Sequence, residues 1–250
     1  GSILANYFTE YHIPFKWFYD YADTEPFKKR LRITIRAMSA IKALKNARIG
    51  QIGDLADGFE NMYVDERVLE KKFGTYIQTR HTVEDIVQRA KAYRESEVNA
   101  TLDQILKDGK WNKKHISTEE INRMARVNMA FVDFAKEYNY NALAISCWTK
   151  FQEIYDLAVC GAMSRINQAG IVAPCEADIS STVIMIALKA LSGEVPTVND
   201  MVALDPDDNS INLWHCGVAA KDWSNSYGIT WDQHFNIGEY LSLIHISEPT

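Results

Sequence analysis

The chain has 250 residues, of which 47% are hydrophobic and 24% are charged, and its formal net charge is -6 at pH 7. Such a composition is typical of a globular protein with one large domain or two ordinary ones. Charged residues interrupt every apolar segment before it reaches the roughly 18 residues that a membrane span needs. A mildly acidic chain without a basic run also lacks the electrostatic footprint of nucleic-acid binding. We therefore expect neither a membrane nor a nucleic acid as partner.

The spacing of the cysteines and the composition of the N-terminal residues favour a protein that stays in a reducing compartment. The chain begins without a basic segment that leads into an apolar one, so no signal peptide is predicted. The cysteines form no Cys-x-x-Cys pair and show no zinc-type spacing to histidine, and a chain of this size needs no disulfide bonds. We expect a cytoplasmic protein in which all four cysteines are reduced, namely Cys147, Cys160, Cys175 and Cys216.

Short strands and amphipathic helices alternate in the first part of the chain. Apolar residues at helical spacing, including Leu31, Ile35 and Met38, predict a helix from about Pro26 to Lys45. Short apolar or aromatic runs predict strands at 13–18, 47–52 and 76–79, and helical patterns cover 64–73 and 83–94. This alternation is typical of βα units with a mainly parallel sheet.

The second part of the chain begins with a helix-start signal. Ser117 and Glu120 have the spacing of a capping box, and an apolar stripe continues from there towards Tyr138. A buried strand is predicted at 141–146, helices at 150–158 and 162–169, and an extended segment at 170–174. The nearly all-apolar helix at 182–191 is expected to be buried on several sides.

Beyond residue 195 the pattern changes to strand–turn–strand, with strands at 197–204 and 211–216 around an acidic turn. The predicted fold class is therefore α/β, with a Rossmann-like parallel-sheet domain followed by the start of a more antiparallel C-terminal domain. We place the boundary near Gly170.

Three carboxylates are candidates for chemistry. Glu153 follows the strand that ends at Ser146, and residues just beyond the carboxyl ends of strands line the ligand crevice of open α/β sheets. Glu153 could instead be an exposed helix residue. Glu176 and Asp178 lie between an apolar strand and an apolar helix, where a carboxylate is costly unless it is paired or bound to a metal. Asp178 could instead be a helix N-cap.

A histidine, His215, ends the last apolar strand, where a hydrogen-bonded core residue is the common alternative to a functional one. The order of the motifs is more specific than any one of them. Cys-Trp-x-x-x-Gln-Glu at 147–153 is followed by Cys-Gly-Ala-Met-Ser-Arg-Ile-Asn at 160–167, Cys-Glu-Ala-Asp at 175–178 and Leu-Trp-His-Cys-Gly at 213–217. With Ala-Arg-Ile-Gly-Gln-Ile-Gly at 47–53 upstream, this order resembles the L-fucose isomerase family.

The resemblance implies a Mn²⁺-dependent interconversion of an aldose and its ketose. It places two metal-binding and catalytic carboxylates at Glu153 and Asp178, with Gln152, Glu176 and His215 as supporting or substrate-side residues. Carboxylates are suitable ligands for Mn²⁺, and an ene-diol mechanism needs a base and a Lewis acid. Sharing one ion would bring the carboxylate oxygens of Glu153 and Asp178 within about 6 Å of each other.

The same resemblance implies that the chain is a fragment and inactive as it stands. The family's third ligand is a histidine far downstream, and His234 comes too early to match it. The predicted organisation is a remnant of an N-terminal domain with its connecting helix (1–45), a second α/β domain (46–170), a truncated C-terminal domain (171–240) and a tail (241–250). The tail resembles a translated sequencing adapter and is expected to be unpacked.

The partners expected from the resemblance are a small sugar substrate and, in the full-length protein, other copies of the same chain. A non-catalytic sugar-binding α/β protein is the competing hypothesis, and a different divalent-metal lyase is a third. Adjacent carboxylates at Glu153 and Asp178 would favour the enzyme, whereas their separation would favour the binding protein.

Overall fold

The computed structural model describes residues 2–234 and the backbone of residues 241–245. Within these ranges the helices are α1 (Ser2–Glu10), α2 (Glu25–Lys45), α3 (Glu66–Phe73), α4 (Val83–Ala92), α5 (Glu95–Asp108), α6 (Thr118–Glu137), α7 (Lys150–Tyr155), α8 (Cys160–Gln168) and α9 (Ile179–Ser192). The strands are β1 (Arg48–Ile52), β2 (Tyr76–His81), β3 (Gly109–Trp111), β4 (Ala142–Ile145), β5 (Asp200–Asp205), β6 (Ser210–Trp214), β7 (Ile229–Gln233) and β8 (Leu241–His245). No helix among the described residues is long and apolar enough to cross a membrane.

The chain divides into two compact units, residues 1–39 and residues 40–250. In the first unit, aromatic rings provide local packing, for example Phe8 against Phe15 with centroids 5.5 Å apart. The strand predicted at 13–18 is wrong, because this segment is irregular. A strand depends on pairing with neighbouring strands more than on its own composition. The aromatic residues of this segment were therefore not enough to predict a strand.

A parallel sheet with the order β2-β1-β4 is the centre of the second unit. Ile49 of β1 lies opposite Ile77 on one side and Ala142 on the other. The side chains of Ile49 and Ile52 are fully buried, as expected for a strand covered on both faces. The predicted α/β fold class is confirmed, and the carboxyl ends of β1 and β4 lie at the same edge of the sheet.

The start of the long helix α6 is determined by residues that are close together in the sequence. The side chain of Ser117 accepts a hydrogen bond from the Glu120 backbone N–H, and the Glu120 carboxylate accepts one from the Ser117 backbone N–H at 2.7 Å, which confirms the capping box. Helix α5 was not predicted. It buries only Val98 and Ile105, so its apolar stripe is too sparse to stand out in the sequence.

The last helix and the hairpin after it agree only partly with the sequence. Strands β5 and β6 pair antiparallel, as predicted. Helix α9 buries its inner face, but Ile184, Leu188 and Leu191 are exposed on the outer one. The prediction that this helix is buried on several sides is therefore wrong for that face. The core of the second unit includes residues from both sides of Gly170, so the boundary predicted there does not interrupt it.

A second sheet has the order β3-β7-β8. Strand β7 pairs in parallel with β3 and antiparallel with β8. Trp231 of β7 is fully buried, and its Nε1–H donates to the carbonyl of Ile105 at 2.8 Å. The backbone of residues 241–245 thus has a partner strand, whereas the side chains of the tail, which are expected to be unpacked, lie outside the described part of the chain. Residues 246–250 lie outside the described part of the chain.

Candidate functional site

A cavity of about 300 Å³ opens where β4, β6 and β7 end. It is lined by four of the five predicted site residues and by all four cysteines. The predicted residues are Gln152, Glu176, Asp178 and His215, and His234 joins them. Its size is at the lower end of ligand pockets, which begin at about 300 Å³.

The segment before α9 carries Glu176 into this cavity. Glu176 and Ala177 both have left-handed backbone conformations, with φ of 63° and 52°. Non-glycine residues rarely adopt this conformation, and each instance costs on the order of 1–3 kcal/mol unless the surroundings enforce it. The Ala177 N–H donates to the carbonyl of Ile145 at 2.9 Å, which ties the strained segment to the end of β4. Such strain is common at functional sites.

The carboxylate of Glu176 is incompletely satisfied. Its Oε1 accepts a long hydrogen bond from the Cys147 thiol, 3.7 Å from Sγ, whereas its Oε2 is buried and has no hydrogen-bond partner among the described residues. Burial, followed by the nearby Cys216, raises the pKa of Glu176 above its usual value. A buried oxygen without a partner costs about 1–3 kcal/mol, so its retention points to a ligand.

Gln152 presents a second oxygen of the same kind. Its Nε2 donates to the carbonyl of Cys147 at 2.9 Å, while its Oε1 is buried without a partner in the described chain. Two buried, unpartnered oxygens therefore come from residues that line one cavity. Carboxylate and amide oxygens suit hard divalent cations and also accept hydrogen bonds from sugar hydroxyls.

Asp178 combines both of the roles considered for it. It is the N-cap of α9, where Oδ1 accepts from the Ser181 N–H at 2.8 Å and Oδ2 from the Ser181 hydroxyl at 2.5 Å. Its side chain is nevertheless in the wall of the cavity. Each carboxylate oxygen has two acceptor positions, so capping leaves one on each oxygen for a ligand.

Glu153 lies elsewhere. It is exposed on α7, accepts a hydrogen bond from the Thr149 hydroxyl at 2.8 Å and lines a different cavity, together with Arg123 and Lys91. Neighbouring helix residues point roughly 100° apart, so burying Gln152 turns Glu153 outwards. The structure does not bring Glu153 together with Asp178, and its metal role stays a prediction. Glu176 and Asp178, by contrast, line one cavity.

The two histidines of the cavity each follow a strand. His215 comes after β6, and its Nδ1 accepts a hydrogen bond from the Cys216 N–H at 2.9 Å. His234 is buried directly after β7. His234 was not predicted as a site residue because of its position along the chain. The signal that would have found it is strand β7 just before it, with Ile229 and Trp231 buried, since His215 likewise follows a strand.

No protein-family model matches the chain. The chain is similar to proteins named sulfoquinovose isomerase. The one from Priestia megaterium is 27% identical over 241 residues, which cover 94% of this chain and 53% of the relative. The one from Alkalicoccus urumqiensis is 30% identical over 212 residues, or 83% of this chain and 46% of the relative. The chain thus spans about half the length of the curated relatives it matches.

These similarities agree with the coarser part of the sequence prediction. The fold is α/β, and the named relatives are sugar isomerases.

Proposed function

We propose that this chain carries the catalytic cavity of an aldose–ketose isomerase of the L-fucose isomerase type, acting on a sugar through an ene-diol. The observation that carries the proposal is the buried, unpartnered Oε2 of Glu176 in the same cavity as the Asp178 carboxylate. The named relatives support the reaction class.

Glu176 has the properties of the proton-transferring group. An aldose–ketose exchange removes a proton from the carbon beside the carbonyl and returns it to the neighbouring carbon. A carboxylate shielded from water, with a raised pKa, is more basic than an ordinary glutamate and suits this task. The unpartnered Oε1 of Gln152 accepts a hydrogen bond from a sugar hydroxyl and so orients the substrate.

A divalent ion such as Mn²⁺ is part of the proposal, because the oxygen donors fit it. Asp178 and Gln152 would hold the ion beside Glu176, since all three line one cavity and offer hard oxygen ligands. When bound, such an ion supplies a Lewis acid for the negative charge that develops on the sugar oxygens. Assembly of several copies of the chain is proposed as well, and light scattering of the purified protein tests it.

The test uses a chain of the same length as the relatives that carries these residues. It compares the turnover of variants in which one of two glutamates is replaced by glutamine. Isomerisation is followed by NMR in D₂O with Mn²⁺, across deoxyhexoses, pentoses and sulfonated hexoses. Glu176→Gln is expected to lower turnover by about 10²- to 10⁴-fold, the usual contribution of a general base. Glu153→Gln is the matched control and should stay close to the parent.

If Glu153→Gln lost turnover and Glu176→Gln kept it, the metal and base roles would belong to Glu153. The separation of Glu153 from Asp178 favours the non-catalytic sugar-binding protein as the second candidate. Sugar binding without isomerisation of any sugar would support that candidate and contradict the enzyme.

A further inference from the structure

Three side chains in the cavity wall have the arrangement of a soft-metal site. The sulfurs of Cys160 and Cys216 and a ring nitrogen of His234 all lie within 4.8 Å of one another. The two sulfurs are 3.7 Å apart. In a tetrahedral site with Zn–S bonds of about 2.3 Å, two sulfur ligands are separated by about 3.8 Å. We propose that Cys160, Cys216 and His234 bind Zn²⁺ or another thiophilic divalent ion.

Cys175 is the proposed fourth donor, because its sulfur lies within 4.8 Å of that of Cys216. Three cysteines and one histidine are a common ligand set for structural zinc. Thiol and imidazole donors select a different ion from the oxygens of Asp178 and Gln152. The thiol site is therefore distinct from the proposed Mn²⁺ position and does not depend on the isomerase activity.

The four donors come from four separate segments. Cys160 begins α8, Cys175 precedes α9, Cys216 follows β6 and His234 follows β7. The donors are buried or nearly so, and the fold already holds them together, so little ordering is needed when an ion binds. A bound ion would link all four segments and stabilise the folded state, because it binds the folded chain in preference to the unfolded one.

The experiment uses the 250-residue chain, reduced and freed of metal. Zn²⁺ is titrated in competition with a chromophoric chelator, and Co²⁺ is used as a spectroscopic probe. We expect one ion per chain, a thiolate-to-cobalt charge-transfer band, and a higher melting temperature with Zn²⁺. Cys216→Ser should weaken Zn²⁺ binding by at least about 100-fold, since losing a residue that merely orients a ligand already costs about 10- to 100-fold.

Cys147→Ser is the matched control, because Cys147 is a buried cysteine of the same cavity outside the proposed ligand set. Its Zn²⁺ affinity should stay close to that of the parent, as should that of Glu176→Gln. Circular dichroism verifies that each variant folds.

A measurement on the unmodified chain tests the proposal without relying on any variant. Zn²⁺ should slow alkylation of Cys160, Cys175 and Cys216, mapped by mass spectrometry, and leave the rate at Cys147 unchanged. Absence of the charge-transfer band, or equal protection of Cys147, would overturn the proposal. So would unchanged Zn²⁺ affinity in a folded Cys216→Ser chain. Loss of affinity in Glu176→Gln would show that the ion binds at the carboxylates instead.

Discussion

Replacing Glu176 with glutamine should stabilise the fold at neutral pH while it removes the proposed base. The substitution keeps the size and shape of the side chain and takes away a negative charge that burial disfavours. A buried charge costs more than a neutral amide at the same position, although the amide leaves a polar atom there as well. Because Oε2 is buried but the side chain as a whole is partly exposed, we expect the recovered difference to be about 1 kcal/mol.

The gain should depend on pH in a defined direction. The pKa of Glu176 is raised in the folded state, mainly by burial, from an ordinary value of 4.5. Below that ordinary value the carboxyl is protonated in both states, so the parent and Glu176→Gln should be about equally stable. As the pH rises above that value, the carboxyl of Glu176 ionises more readily in the unfolded parent than in the folded one, which destabilises the fold. This continues until the pH has also passed the pKa of Glu176 in the folded state. The advantage of the variant should therefore grow through this window and then remain constant.

Urea unfolding of the 250-residue chain at a series of pH values measures this difference. At about pH 8 the variant should also melt about 2–4 °C higher, the usual shift for 1 kcal/mol in a chain of this size. Glu153→Gln is the control and should stay within about 0.5 kcal/mol of the parent, because Glu153 is exposed. A destabilised Glu176→Gln chain at about pH 8 would refute the view that burial disfavours the ionised form of Glu176 in the folded protein.

Two further predictions concern Asp108 and Trp231, which line a different cavity from the candidate site. Although burial opposes it, hydrogen bonds from Lys221 and Arg165 lower the pKa of Asp108, so its contribution to stability is present at neutral pH and lost as the pH falls below its ordinary value of 3.8. Asp108→Asn should cost about 1–2 kcal/mol at neutral pH and little in acid, which urea unfolding at both pH values checks. Trp231→Phe loses the hydrogen bond to Ile105 and should cost about 1–2 kcal/mol, whereas Trp231→Ala also leaves a void and should cost about 3–5 kcal/mol by the same assay. Unchanged stability of Trp231→Phe would contradict the assignment of that bond, and equal costs for the two variants would contradict the void.

The sequence by itself determined the features that depend on neighbours along the chain. The capping box at Ser117 and Glu120, the parallel strands β1 and β4 and the hairpin of β5 and β6 follow from helical spacing, short apolar runs and turn residues. The same local reasoning failed at 13–18, where a strand needed pairing that its own residues could not provide.

Only the tertiary structure decided which residues meet in the cavity. Gln152 and Glu153 are adjacent in sequence, and packing of α7 against the core selects which of them faces inwards. Cys160 and Cys216 are 56 residues apart, and their sulfurs meet because α8 and the end of β6 converge on one core. Long-range convergence of this kind depends on the whole fold rather than on any local pattern, so spacing along the chain could not reveal it.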